Sequence, residues 1–340
     1  MKFKNTQWVL SQFGIEHLER REEALPELKD NEVLIQMESV SLNYRDLLMV
    51  TGNYNPKLKL PMVPCSDGCG TIIQKGKQVT LFQEGDKVLP VFAQGWYEGK
   101  PFREIFKKTL GGPLNGTLQK YFIVPESEIV LAPKNLNSLE ASTLPCAGLT
   151  AWSALVELGK VIPGETVLTL GTGGVSIFSL QIAKLLGAKV IITSSSKIKL
   201  EKAKKLGADF LIDYKETPQW EKEILKITNF KGVEHIIEVG GVGTLEKSIK
   251  CVKPGGTIYL IGVLAGRQSP VDLTPVLMQN IKIQGVIVGH KRSLEEMINA
   301  WEFHNLKPIV DQVFDFEEAP RAFEYLKNGS HFGKICIRIQ

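Results

Sequence analysis

The chain has 340 residues, 43% of them hydrophobic and 23% charged, with a formal net charge of +4. That length allows two domains with separate cores, and the balance of residues is that of an ordinary globular protein. The charge is too small and the lysines too scattered for a nucleic-acid surface, and no apolar stretch approaches the roughly 18 residues of a membrane span. Met1-Lys2-Phe3-Lys4-Asn5 lacks the apolar core of a signal peptide, so a cytoplasmic location is expected. Five cysteines, Cys65, Cys69, Cys146, Cys251 and Cys336, are odd in number and mostly in apolar company. They read as reduced thiols rather than a disulfide framework.

In chain order, the first third is β-rich. Short apolar runs at 32–37, 70–73, 87–89 and 118–124 alternate with turns rich in Gly, Pro and Asn. From about Ser138 the period changes, and 139–146 and 147–158 read as helical. Pro163-Gly164 then leads into 166–170, which is β-branched and apolar on both faces, as a buried parallel strand is. Gly171-Thr172-Gly173-Gly174 turns the chain into a helical pattern over 175–186, stopped by Gly187, and 190–193 is the next strand. Further strands are expected at 210–212, 234–239, 256–262 and 281–288, with helices at 199–206, 220–227 and 243–251 between them. Six strands with helical crossovers predict an α/β, doubly wound parallel sheet. A helix at 294–303 and a strand at 334–339 return the chain. The β-rich domain is therefore expected to be discontinuous, with 1–128 completed by 290–340 and the sheet domain at 129–289. A cofactor is expected in the cleft between the domains.

The turn after the first parallel strand gathers backbone N–H groups and a helix N-terminus, an anion site suited to a pyrophosphate. Its third expected glycine is Ser176, and a plain tight turn is the competing reading. At the end of the next strand, where an NAD enzyme carries Asp or Glu, the chain has Thr193-Ser194-Ser195-Ser196-Lys197 and then Lys199. Hydroxyl and ammonium groups suit a 2′-phosphate, which favours NADPH; the alternative is a solvated, lysine-rich helix start.

Three stretches now combine: Ser41-Leu42-Asn43-Tyr44-Arg45-Asp46, Leu144-Pro145-Cys146-Ala147-Gly148-Leu149-Thr150-Ala151-Trp152, and Gly171 to Val175. Together they resemble the medium-chain dehydrogenase/reductase superfamily over essentially the whole chain. The closest likeness is to its zinc-independent, quinone oxidoreductase-like branch. The resemblance implies a Rossmann cofactor domain beside a discontinuous, GroES-like catalytic domain. Zinc-containing members hold the metal with a Cys, a His-Glu pair and a second Cys. Those places are Asn43, Ser66-Asp67 and Cys146 here, and amide and hydroxyl groups are poor zinc ligands, so no metal is expected. Cys65, Cys69 and Cys146 are the alternative metal set.

The resemblance also implies roles residue by residue. Asn43 and Tyr54 would orient and protonate the acceptor, and Ser195, Lys199 and Tyr214 would surround the 2′-phosphate. Gly173, Gly174 and Val175 would face the pyrophosphate, and Thr150, Gly262 and Val263 the nicotinamide. His331 to Lys334 is a further candidate for closing on the cofactor. The apolar edge strand at 281–288 implies a homodimer. The expected activity is NADPH-dependent reduction of quinones, or of activated alkenes and carbonyls, by hydride transfer. Its rivals are an alcohol dehydrogenase with a residual metal site and an NADPH-binding protein with little turnover.

Overall fold

In the computed structural model, which describes residues 4–266, 268 and 270–340, the chain divides into two compact units. One is the chain up to Leu149 together with Gly289–Gln340; the other is Thr150–Val288.

The first unit opens with an antiparallel pair, β1 (Lys4–Leu10) and β2 (Leu18–Ala24). Neither stands out in the sequence, because β2 reads LERREEA and is mostly exposed. Next come β3 (Glu32–Leu42), α1 (Tyr44–Val50), β4 (Asp67–Lys75), β5 (Lys87–Pro90), β6 (Tyr121–Pro125) and β7 (Ile129–Leu131). The short helix α2 (Ser138–Ala141) is capped by Asn137, whose side chain accepts from the Glu140 N–H. Helical backbone continues through α3 (Leu149–Trp152), flanked on each side by a wider π-type turn, Leu144–Gly148 and Ser153–Leu158. Residues 129–149, assigned to the second domain by the sequence reading, thus belong with the first. For the first of these residues the cause is pairing, since β7 (Ile129–Leu131) lies against β5 in the first unit's sheet.

The second unit alternates β8 (Thr166–Leu170), α4 (Gly174–Leu185), β9 (Lys189–Ser194), α5 (Lys197–Lys205), β10 (Phe210–Asp213), α6 (Trp220–Ile227), β11 (Val233–Glu238), α7 (Leu245–Cys251), β12 (Val252–Leu260), α8 (Thr274–Met278) and β13 (Lys282–Gly285). The strands form one parallel sheet in the order β10-β9-β8-β11-β12-β13. Strand order therefore reverses beside β8, and the glycine turn that follows β8 lies at that switch point, where α/β sheets bind ligands. Val167, Leu168, Val190, Ile191, Ile236 and Ile258 are fully buried, which is why these strands read as continuous apolar runs. The edge strand expected over 281–288 is shorter, and all four residues of β13 are exposed.

The return segment supplies α9 (Lys291–Phe303), β14 (Val310–Asp315), α10 (Ala319–Lys327) and β15 (Lys334–Arg338). It completes the first unit's sheet in the order β14-β15-β3-β4-β5-β7, with β6 also pairing β3. β15 is parallel to β14 and antiparallel to β3, with Ile335 opposite Leu42 and Cys336 opposite Ser41. The core beneath includes Val33, Ile35, Val40, Ile72, Phe316, Phe323 and Ile337. Among the described residues no helix is long and apolar enough to cross a membrane.

Candidate active site

The second unit carries the candidate nucleotide end. β8 stops at Leu170, and Gly171 has φ +74, a conformation in which a side chain would be strained. Gly173, the N-cap of α4, is different. Its backbone is extended (φ −77, ψ −176), and a Cβ added there would meet nothing within 4 Å. Neither strain nor packing calls for glycine at that place, and the backbone there is open to close approach from outside. Gly174 and Val175 open the helix. Ser176, where a third glycine was expected, is 2% exposed and donates its hydroxyl to the Leu170 carbonyl at 2.7 Å. It ties the first turn of α4 to the end of β8.

At the end of β9, Ser196 caps α5, its hydroxyl accepting from the Lys199 N–H at 3.4 Å. Lys197 is an exposed partner of Glu216 at 2.5 Å. Ser195 and Lys199 are half-buried. Tyr214 follows β10, donates its backbone N–H to the Ser194 carbonyl at 3.1 Å, and has a ring that is 42% exposed. Parallel pairing of Asp213 with Ser194 therefore brings Ser195, Lys199 and Tyr214 to one end of adjacent strands. Thr150 is buried in α3, at the start of the unit. Gly262 follows β12 and gives its N–H to the Glu238 carbonyl at 3.3 Å. A Cβ there would stand 2.8 Å from the Val239 carbonyl oxygen, so close backbone packing already accounts for this glycine. Val263, next to it, is 38% exposed.

Sequence reasoning missed Glu238, which is fully buried at the end of β11. One carboxylate oxygen accepts from the Gly240 and Gly241 N–H groups and the Thr244 hydroxyl, and the other from the Ser248 hydroxyl at 2.6 Å. A single acid closing an apolar strand and followed by Val239-Gly240-Gly241 was the available signal. A cavity of about 710 Å³ in this unit lies at the other, amino ends of the strands, lined by Glu165, His235, Tyr259 and Lys282 among others. It is separate from the glycine turn.

The first unit carries the polar centre. Asn43 is 8% exposed at the N-cap of α1, with its backbone N–H bonded to Asp46 Oδ2 at 2.8 Å. Its amide oxygen accepts from Lys334 Nζ at 2.5 Å, and its amide nitrogen lies 3.5 Å from Ser66 Oγ. Ser66 donates to Asp67 Oδ1 at 2.9 Å, and Asp67 Oδ2 accepts from the Cys146 backbone N–H at 3.2 Å. Asp46 and Asp67 are fully buried. Arg45 reaches Asp46 at 3.3 Å and the carbonyls of Leu110 and Gly112 at 3.0 and 3.2 Å. Tyr54 is 46% exposed, with the Arg45 guanidinium 5.6 Å from its ring centroid. Asn43 and Tyr54 are thus linked through Arg45 and Asp46 rather than by a direct hydrogen bond.

Burial pushes the Asp67 carboxyl from 3.8 up to about 6, against the pull of the Lys334 ammonium and the Asn43 amide. A folded-state pKa above the unfolded one means that the folded chain binds the proton more tightly. This contribution to stability is complete below about pH 4 and is lost as pH rises through about 6. The stability of the wild type minus that of Asp67→Asn should therefore fall by roughly 3 kcal/mol across that window. Urea titrations at several pH values check this; a flat difference would refute it.

The donor chemistry of this centre does not fit zinc. Cys146 is the one thiol at the three places where zinc-containing members carry their ligands, and burial and the Asp67 charge raise its pKa above the ordinary value. An amide, a hydroxyl and an ammonium complete the surroundings. Among the described residues no group of three or more His, Cys, Asp or Glu could hold a metal ion.

Comparison with known proteins matches two family models: an alcohol dehydrogenase GroES-like domain over residues 29–134 and a zinc-binding dehydrogenase domain over 174–303. A zinc-type alcohol dehydrogenase-like protein of Schizosaccharomyces pombe is 43% identical, over 96% of both chains. The chain belongs to the medium-chain dehydrogenase/reductase superfamily. Another member that it resembles is the 2-methylene-furan-3-one reductase of Solanum lycopersicum, 33% identical over 92% of this chain and 73% of that one. The crystal structure of a putative alcohol dehydrogenase from Sinorhizobium meliloti superposes with a TM-score of 0.94 at 41% identity, covering all of both chains. As a member of this superfamily the protein is an oxidoreductase. The α/β fold with a parallel sheet and a GroES-like domain stands as the sequence implied.

Proposed function

We propose that this oxidoreductase is NADPH-dependent and zinc-independent, and that it reduces alkenes conjugated to a carbonyl, or quinones, by hydride transfer. The observation that carries the reading is the centre around Asn43, where an amide, a hydroxyl and a buried carboxylate gather about an ammonium rather than forming a metal donor set. The name of the tomato relative supports the acceptor class, since a 2-methylene-furan-3-one has an alkene conjugated to its ketone. Such acceptors delocalise incoming negative charge and need no Lewis acid. Ser195 and Lys199 support the choice of NADPH.

Bound NADPH supplies the hydride. The backbone at Gly173 and the N-terminus of α4 would receive its pyrophosphate, with Ser195, Lys199 and Tyr214 about its 2′-phosphate. Asn43 has its amide oxygen committed to Lys334, so its N–H side is what meets the acceptor oxygen as negative charge develops there. Tyr54 donates a proton from its phenol, its ring steadied by the Arg45 guanidinium.

The test is NADPH oxidation by chelator-treated protein with enones, quinones and simple aldehydes, with NADH alongside. Turnover of enones or quinones with NADPH preferred is expected; activity lost on chelation and restored by zinc would overturn the reading. Asn43→Ala and Tyr54→Phe should each lower turnover about 100-fold. Full turnover in both would sink these assignments.

A further inference from the structure

We propose that Lys334 is the positioning residue of the acceptor centre: its ammonium fixes Asn43 with the amide N–H side turned away from itself and strengthens those N–H groups as donors. The inference rests on the reading of Asn43 as an acceptor-binding group.

The backbone puts Lys334 there. Gly333 has φ +83, and a Cβ on it would lie 2.5 Å from the Ile309 carbonyl oxygen, so the chain enters β15 through a turn that only glycine fits. The Lys334 N–H then bonds to the same Ile309 carbonyl at 2.9 Å. Antiparallel pairing of Ile335 with Leu42 sets Lys334 beside Asn43, and the side chain runs inward until the residue is 3% exposed.

Chemistry fixes the orientation of the amide. A lysine ammonium has donors and no acceptor, so the Asn43 atom 2.5 Å from Nζ must be the oxygen. The amide nitrogen is then the atom near Ser66, and because Ser66 donates to Asp67 its hydroxyl is left to accept from Asn43. A directed series results, from Lys334 to Asn43 to Ser66 to Asp67, and the Cys146 N–H donates to the same carboxylate from the other side. A cation bonded to an amide oxygen polarises the amide and makes its N–H groups better donors.

The way the charge is partnered also matters. Arg45 and Asp46 make a direct ion pair at 3.3 Å. Lys334 instead bonds to two neutral oxygens, Asn43 Oδ1 and the Leu42 carbonyl at 2.7 Å. A buried cation is costly to hold for stability alone. One bonded to neutral oxygens acts through its field, on the buried carboxylates of Asp46 and Asp67 and on negative charge that develops beside Asn43. Asp67, two bonds further along, feels that field as the strongest force lowering its pKa.

Three variants test this. Lys334→Met keeps the length and removes the charge, Lys334→Arg keeps the charge, and Asn43→Asp keeps a partner for Lys334 but removes the N–H donors. With an enone and NADPH, Lys334→Met should lower kcat about 10- to 100-fold, with KM for the enone and Kd for NADPH within about threefold of wild type. Lys334→Arg should recover most of the loss. A folded Lys334→Met with wild-type kcat overturns the proposal. Should Lys334→Met fail to fold, wild-type turnover by Asn43→Asp overturns it equally. A readout free of turnover separates this inference from the reading beneath it. In protein labelled with ¹⁵N at asparagine, the Asn43 side-chain resonances should shift and exchange faster with water in Lys334→Met than in Lys334→Arg. Unchanged resonances in both would overturn the positioning role even if wild type reduces no acceptor on the panel.

Discussion

NADPH affinity is expected to fall about 100-fold or more in Lys199→Glu, while NADH affinity stays within about threefold. Charge-assisted hydrogen bonds are worth roughly 1.5–3 kcal/mol each, and replacing the ammonium by a carboxylate adds repulsion to the loss. Of the lysines at the start of α5, Lys197 is exposed and paired with Glu216, whereas Lys199 is half-buried in the first turn, its N–H bonded to the capping Ser196 hydroxyl. NADH lacks the 2′-phosphate, so a general defect in folding or pyrophosphate binding would affect both cofactors alike. KM and Kd measured for each cofactor on the same preparation check the prediction. Equal losses would remove the 2′-phosphate site from Ser195, Lys199 and Tyr214.

Removing Arg45 should be among the most destabilising single changes in the first unit. Arg45→Leu would leave the fully buried Asp46 without its ion-pair partner and the carbonyls of Leu110 and Gly112 without a donor. The guanidinium also lies 4.8 Å from the Phe92 ring centroid, so packing would be lost with the charge. Breaking a buried pair from one side costs about 3–5 kcal/mol, because the remaining charge stays in a poor solvent. Burial already raises the Asp46 pKa even with Arg45 present. Asp46→Asn should therefore recover part of the loss when combined with Arg45→Leu, since a neutral amide needs no counter-ion. Urea unfolding of both single variants and the double variant closes the cycle. A loss below about 1 kcal/mol for Arg45→Leu would show the pair to be dispensable.

How much of this could be read from the sequence depends on how local each signal is. β8, the glycine turn and α4 are marked by adjacent residues, and α6 falls on Trp220–Ile227 as expected, because its apolar spacing and flanks lie within a few positions. β2 is harder. Its residues face water, so the alternation that marks a half-buried strand is weak, whereas β13 falls inside the strand expected over 281–288 and is only shorter. In the candidate site, the motifs point to the places of Asn43, Asp67 and Cys146, yet not to what binds them together. Lys334 lies 291 positions from Asn43, and only the pairing of β15 with β3 brings them into contact. Arg45 and Asp46, neighbours in sequence, form an internal ion pair.

The position of β15 between β14 and β3 has a consequence for biosynthesis. The parallel sheet of the second unit is encoded without interruption between Thr150 and Val288, so a ribosome can release all of its strands before residues 310–338 exist. The first unit, begun earlier, has β6 beside Glu32–Gln36 of β3 but waits with the Ser39–Leu42 end unpaired on one side, a short open edge that chaperones or other nascent chains can occupy. Asn43 is made early but meets the Lys334 ammonium only when β15 docks, after the parallel sheet has had time to form.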